Sequence, residues 1–314
     1  MLSRIDVLQV GPYPTWDEEP LNRQFVMHRF FEAADKRTFL DQVGASIRGV
    51  ACRGESVVDG QMLEAMPQLE IISVYGVGYD GIDLEACRQR NIRLTNTPGI
   101  LAKDVADLAV AMLLALGRGV VPADAWVRSG AWSEKGPFPL QRRMHGLRAG
   151  VLGLGQIGRE VARRLSGFDM SLAYYSRAIK DCEWEYVDSP VELARRVDIL
   201  FVTLAANKET RHIVNAEVLE ALGPTGLLVN VSRAANVDEN ALLDALESGR
   251  LGGAALDVFD GEPALNPRFA TLGNVVLQPH QASGTVETRR AMGQLMRDNL
   301  TAHFSGQPLL TPIL

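Results

Sequence analysis

Cysteine is scarce in this chain: three residues in 314, Cys52, Cys87 and Cys182, odd in number and unclustered. That argues against a disulfide framework, offers no metal-ligand spacing and suits a reducing, cytoplasmic setting. A basic excess is missing as well. Lysine and arginine number 32 against 38 acidic residues, a net charge of −6, so no nucleic-acid-binding surface is expected. The longest apolar helical run, 108–116, is too short to span a bilayer, so no membrane partner is expected either. The first residues carry a short apolar stretch, Ile5, Val7, Leu8 and Val10, which charge interrupts. It reads as a strand, not as a signal peptide. No internal repeat or low-complexity segment is present. What remains is a 46% hydrophobic chain long enough for two cores.

Strand and helix patterns alternate from the start, which predicts parallel sheets covered on both faces. Strands are expected at 5–10, 47–52, 69–74 and 92–95, with helical stretches near 20–33, 59–66 and 83–90. The run Tyr75-Gly76-Val77-Gly78-Tyr79-Asp80 leaves a strand at its carboxyl end, where backbone N–H groups of Val77 and Gly78 are placed to cup a carboxylate. A plain glycine turn fits the same spacing. Asn96-Thr97-Pro98-Gly99 is a turn and a hinge candidate. The helix expected at 103–118 is apolar on more than one face and must be covered by its own domain or by another subunit. Loop-like sequence fills 129–144.

The stretch that organises the chain follows. A short apolar run ends at Leu152, then comes Gly153-Leu154-Gly155-Gln156-Ile157-Gly158, then a helix pattern, then a second strand at 172–175. The first glycine allows the tight turn, the second admits a pyrophosphate to the backbone, and the third lets the helix pack on the strand. The helix N-terminus near Gln156 favours an anion. Such a motif alone is weak, but its strand–turn–helix–strand context predicts dinucleotide binding. At the end of the second strand stand Tyr175-Ser176-Arg177, with no carboxylate before Asp181. NAD sites usually carry Asp or Glu there to hold the ribose hydroxyl. A hydroxyl and a guanidinium suit a 2′-phosphate, so NADP(H) is the expected cofactor.

Further strands are expected at 198–204, 226–231, 253–258 and 274–278. Asn215 is expected to cap one helix, 238–248 forms another, and a long last helix spans 286–304. Arg233, Glu262 and His280 each follow one of these strands, on the edge where a nicotinamide would lie. Singly, each could be a solvated or capping residue. Together their roles fit one reaction. The guanidinium holds a 2-oxo acid by its carboxylate, the imidazole supplies a proton, and the carboxylate orients the imidazole and raises its pKa.

These residues and their surroundings resemble the D-2-hydroxyacid dehydrogenase family over essentially the whole chain. The resemblance is carried by Gly76-Val77-Gly78-Tyr79-Asp80, Thr97-Pro98-Gly99, the glycine turn, Asn230-Val231-Ser232-Arg233, Leu256-Asp257-Val258-Phe259-Asp260-Gly261-Glu262-Pro263 and Pro279-His280. It implies an α/β architecture of two flavodoxin/Rossmann-like domains with parallel sheets and the active site in the cleft. Residues 1–98 with 285–314 would bind substrate, and 99–284 would bind the dinucleotide. It implies a homodimer assembled through helix 103–118, with a small 2-oxo acid as substrate. Catalysis would rest on Arg233, Glu262 and His280. Substrate contacts would come from Val77, Gly78, Arg233 and His280. Cofactor contacts would come from Gly153 to Gly158, Ser176, Arg177, Ala205, Thr210, Val231, Ser232, Arg233 and Asp257. Within the family, Ser176-Arg177 and the 283–289 segment resemble NADPH-dependent glyoxylate/hydroxypyruvate and hydroxyphenylpyruvate reductases. Departures are Ala234 and Ala282, where glycine is usual, and Ala205, where proline is common. Phosphoglycerate-type oxidation, with Arg53 meeting a phosphate, and a dinucleotide-sensing corepressor are the alternatives.

Overall fold

The computed structural model describes residues 4–314, so positions 1–3 of the expected first domain lie outside the described residues. The chain divides into two compact units. One comprises the described residues up to Leu101 together with Thr285–Leu314, and the other is Ala102–Gly284.

The first unit is built on a five-stranded parallel sheet: β1 (Asp6–Gln9), β2 (Val26–Arg29), β3 (Gly49–Arg53), β4 (Ile71–Tyr75) and β5 (Arg93–Thr95). Strand order is β2-β1-β3-β4-β5. β4 is buried along its length, as a strand covered on both faces must be. Helices α1 (Thr15–Gln24), α2 (Lys36–Val43), α3 (Gly60–Glu64) and α4 (Leu84–Gln89) connect the strands. Asp59 and Asp83 cap the last two through their carboxylates. The C-terminal helix, Val286–Phe304, returns to this unit, where Ser73 donates to the Met296 carbonyl at 3.0 Å and Arg297 forms a buried ion pair with Asp17.

The expected helix at 20–33 is overturned. α1 starts earlier and stops at Gln24, Val26–Arg29 is β2, and Phe30–Glu32 is a single 3₁₀ turn. The reason is pairing: β2 satisfies the outer edge of β1, from Asp6 opposite Val26 to Gln9 opposite Arg29, and the His28 ring sits 2.6 Å from Asp6.

The second unit carries seven parallel strands in the order β12-β11-β10-β9-β6-β7-β8. These are β6 (Arg148–Leu152), β7 (Ser171–Tyr175), β8 (Glu185–Tyr186), β9 (Ile199–Val202), β10 (Leu227–Asn230), β11 (Gly253–Leu256) and β12 (Val275–Leu277). All four residues of β9 are fully buried, each contributing roughly 1.5–3 kcal/mol of apolar burial. Helices are α5 (Ala102–Gly117), α6 (Val120–Arg128), α7 (Ala131–Lys135), α8 (Gln156–Ser166), α9 (Pro190–Arg196), α10 (Ala216–Leu222) and α11 (Glu239–Glu247). α5 is covered largely within its own unit: Val105, Ala106, Ala109 and Leu113 are buried, and Arg164 of α8 reaches Asp107 at 2.5 Å. The loop expected at 129–144 is corrected, since α7 lies within it. Five residues after a left-handed Gly130 are too few for a periodic apolar signal. Among the described residues no single helix is long and apolar enough to cross a membrane.

Candidate active site

Strand order in the second unit reverses between β6 and β9, and ligands of open α/β sheets bind outside the carboxyl ends of strands at such a point. The glycine turn leaves β6 there. Gly153 has φ +99°, and a Cβ on it would stand 2.9 Å from Leu204. Gly158 is packed so closely that a Cβ would fall on the Gly153 carbonyl and within 2.9 Å of Thr203 Oγ1. Gly155 differs: a Cβ there meets nothing within 4 Å. It is the N-cap of α8 and offers no side-chain cap, and a helix N-terminus of this kind favours an anion. That arrangement fits a pyrophosphate. Leu154 is buried against Val151, Ala162 and Tyr174 and anchors the turn.

At the end of β7, Ser176 is buried and donates to the Ala178 carbonyl at 2.5 Å, while Arg177 is exposed. Tyr174 stiffens the following loop, accepting from Lys180 N–H at 2.8 Å. After β9, Thr210 Oγ1 donates to the Ala205 carbonyl at 2.9 Å and accepts from Asn207 N–H at 2.9 Å. The Thr210 side chain thus closes the 205–210 loop.

Three charged side chains meet at the carboxyl edge. After β10, Asn230 Oδ1 accepts from Ser232 N–H at 3.0 Å and from Ser232 Oγ at 2.7 Å, and its amide donates to the Arg233 carbonyl at 3.2 Å. Asn236 ties the same turn to Leu204, donating to its carbonyl at 3.0 Å. Val231 is buried beneath, and Arg233 is presented in extended backbone and half-buried. His280 Nδ1 lies 2.7 Å from Glu262 Oε2, and Phe259 N–H donates to Glu262 Oε1 at 2.8 Å. One carboxylate oxygen is therefore fixed by backbone and the other orients the imidazole.

The electrostatics follow. The bond from Glu262 raises the His280 pKa above 6.5 against the opposing effects of burial and of Arg233. Burial pushes Glu262 up, but bonds from His280 and Phe259, with the charges of His280 and Arg233, outweigh it and hold the carboxyl below its ordinary value. His280 adopts φ +50°, an uncommon conformation for a side-chain-bearing residue. Asp257 holds it there: one oxygen accepts from Gln281 N–H at 2.8 Å and the other from Ala282 N–H at 2.9 Å. Asp257 is 1% exposed and burial raises its pKa. Its two oxygens serve the loop after His280, a role that needs the folded register to be seen. Asn230 and Asn236 are likewise supports that sequence reasoning missed; for Asn230 a polar residue ending a buried strand was the available signal, while Asn236 lies in the 3₁₀ turn that follows and carried none.

Val77 and Gly78 follow β4 in the first unit, where Asn96 donates to the Val77 carbonyl at 2.8 Å and Thr97 Oγ1 accepts from Gly76 N–H at 3.1 Å. The turn is thus braced from the end of β5.

A doubly wound parallel sheet with this glycine turn and this charged trio at its carboxyl edge defines a dinucleotide-dependent oxidoreductase. Comparison with known proteins gives the family. Residues 110–282 match the D-isomer specific 2-hydroxyacid dehydrogenase, NAD binding domain. The chain is similar to the hydroxyphenylpyruvate reductase of Plectranthus scutellarioides, 45% identical over 314 residues and 100% of both chains. A solved 2-hydroxyacid dehydrogenase of Ketogulonicigenium vulgare Y25 is 60% identical with a TM-score of 0.93, over 100% of this chain and 99% of that one. The NADPH-dependent glyoxylate/hydroxypyruvate reductase of Sinorhizobium meliloti, solved with NADP and malonate, is 38% identical with a TM-score of 0.91, over 99% and 97%. The chain belongs to the D-isomer specific 2-hydroxyacid dehydrogenase family and is a 2-oxo-acid-reducing enzyme with a dinucleotide-binding domain.

Proposed function

We propose that the protein reduces a small 2-oxo acid, glyoxylate or hydroxypyruvate, to the D-2-hydroxy acid with NADPH, working as a homodimer. The observation that carries this reading is the Glu262–His280 pair, 2.7 Å apart, under the charge of Arg233. A bound reduced nicotinamide supplies the hydride. Arg233 holds the substrate by its carboxylate and polarises the ketone. With Nδ1–H donated to Glu262, the other ring nitrogen of His280 carries the proton to the forming hydroxyl, and Glu262 steadies the imidazolium before transfer. Asp257 is a positioning residue that keeps the His280 backbone in place. In the first unit the N–H groups of Val77 and Gly78 take the substrate carboxylate.

The NADPH preference rests on Ser176 and Arg177 standing where a carboxylate would select NAD, and the similar Sinorhizobium meliloti enzyme is NADPH-dependent. The homodimer reading is supported by exposed apolar side chains on and after α6, among them Val121, Val127 and Trp132.

The test is nucleotide oxidation followed by near-ultraviolet absorbance, with glyoxylate and hydroxypyruvate offered in turn with NADPH or NADH. Turnover with NADPH well ahead of NADH is expected. Replacing His280 with Ala should lower kcat by about 10²–10⁴-fold while NADPH still binds. Retained turnover in that variant refutes the assignment.

A further inference from the structure

The loop that leaves β7, 176–184, carries Ser176 and Arg177 at the carboxyl end of the strand beside the glycine turn. Among the described residues no backbone–backbone hydrogen bond closes it. A loop of this kind takes its shape from side chains, and three supply it. Ser176 Oγ donates to the Ala178 carbonyl at 2.5 Å, at the near end. Arg159, in the first turn of α8, donates to the Asp181 carbonyl at 3.4 Å. Between them stands Tyr174, whose hydroxyl accepts from Lys180 N–H at 2.8 Å and donates to the Lys180 carbonyl at 3.2 Å. A phenol is donor and acceptor at once, so one oxygen satisfies both backbone groups of one residue.

The ring beneath that oxygen is firmly placed. Tyr174 is 1% exposed, packs with Val151, Leu154 and Ala162, and meets the Tyr186 ring edge-on at 5.6 Å. Leu154 belongs to the glycine turn, and Gly153 N–H donates to the Tyr175 carbonyl at 2.8 Å. The ring of Tyr174 thus bears on the turn after β6 while its hydroxyl holds the loop after β7, all within one unit. Packing needs only the ring, since phenylalanine would fill the same space. The oxygen bonds to the loop alone, so its work is the shape of that loop.

We propose that Tyr174 is a positioning residue for nucleotide choice. It fixes the 176–181 backbone against the glycine turn, so that Arg177 stands ready for a 2′-phosphate when the pyrophosphate is seated. The inference rests on the NADPH reading above. Preorganisation strengthens binding by removing the cost of ordering the loop, and it serves only ligands that use the loop. A nucleotide without a 2′-phosphate gains little from it.

The experiment measures binding of 2′,5′-ADP and of 5′-AMP, which differ by the 2′-phosphate alone, by titration calorimetry. Wild type, Tyr174→Phe, Arg177→Ala and the double variant are compared. Tyr174→Phe should weaken 2′,5′-ADP about three- to tenfold, the equivalent of one hydrogen bond, and leave 5′-AMP within about twofold. In the Arg177→Ala background the same substitution should have no further effect on 2′,5′-ADP, because the hydroxyl acts through the guanidinium. Equal losses with both probes, no loss with 2′,5′-ADP, or a loss undiminished in the Arg177→Ala background overturns the proposal and leaves Tyr174 a core residue. So does a Tyr174→Phe protein that no longer melts cooperatively, since the oxygen would then serve the whole unit. Wild-type protein that binds 2′,5′-ADP no more tightly than 5′-AMP refutes the NADPH reading and this inference with it.

Discussion

His280 needs its proton at neutral pH, and the Glu262 carboxylate 2.7 Å away raises its pKa above 6.5. Reduction consumes the protonated form, so kcat should be level at low pH and fall about tenfold per unit above that raised pKa. Glu262→Gln removes the raising interaction, and the falling limb should move to lower pH in a kcat–pH profile. A limb that stays put would mean Glu262 does not set the acid. Arg177 bears on the cofactor in a comparable one-residue way. It is exposed at the end of β7, with no carboxylate before Asp181. A charge-assisted bond to a 2′-phosphate contributes on the order of 1.5–3 kcal/mol, roughly ten- to a hundredfold in affinity. Arg177→Ala should raise KM for NADPH by about that factor and leave KM for NADH nearly unmoved. Equal losses with both nucleotides would show a structural role instead.

The turn from β6 into α8 separates two uses of glycine that look alike in sequence. Gly158 is a packing residue: a methyl there meets the Gly153 carbonyl and Thr203, so Gly158→Ala must push α8 off the sheet. Overpacking of this kind costs about 1–3 kcal/mol, visible as a lower melting temperature. Gly155 is open, so Gly155→Ala should melt like the wild type while binding NADPH at least about tenfold more weakly in a fluorescence titration. Unaltered affinity in Gly155→Ala would remove the pyrophosphate from this turn. The same element explains what could be read before folding. β6, α8 and β7 were legible because their apolar residues repeat at strand and helix periods. β2 was not, because Val26–Arg29 is an edge strand with no fully buried residue. β8 has two residues, too few for any period. Arg233, Glu262 and His280 were legible as polar residues ending apolar strands. The grip of Asp257 on the loop after His280 depends on β11 and β12 lying side by side, which no local pattern encodes.

At the scale of the whole molecule, apolar surface rather than the catalytic trio points to a partner. α5, expected as the interface helix, spends most of its apolar face on its own unit. Beyond it, Val120, Val121, Val127, Trp132 and Leu140 are 54%, 61%, 56%, 62% and 101% exposed, all within 120–140. Scattered exposed apolar residues are ordinary, but five in one stretch, on two successive helices and the segment after them, support the homodimer proposed above. Trp126 and Phe138 brace this stretch from within, ring on ring at 5.9 Å, so the exposed residues stand on an ordered support. A second copy of the chain is the partner that a symmetric enzyme most commonly uses. Sedimentation equilibrium should therefore give twice the 34.3 kDa of one chain. Val127→Glu combined with Trp132→Glu should shift the mass to 34.3 kDa while each unit keeps its far-ultraviolet circular dichroism. Wild-type protein that sediments as a single chain would show that these side chains face solvent in the working enzyme, and a paired variant would place the interface elsewhere.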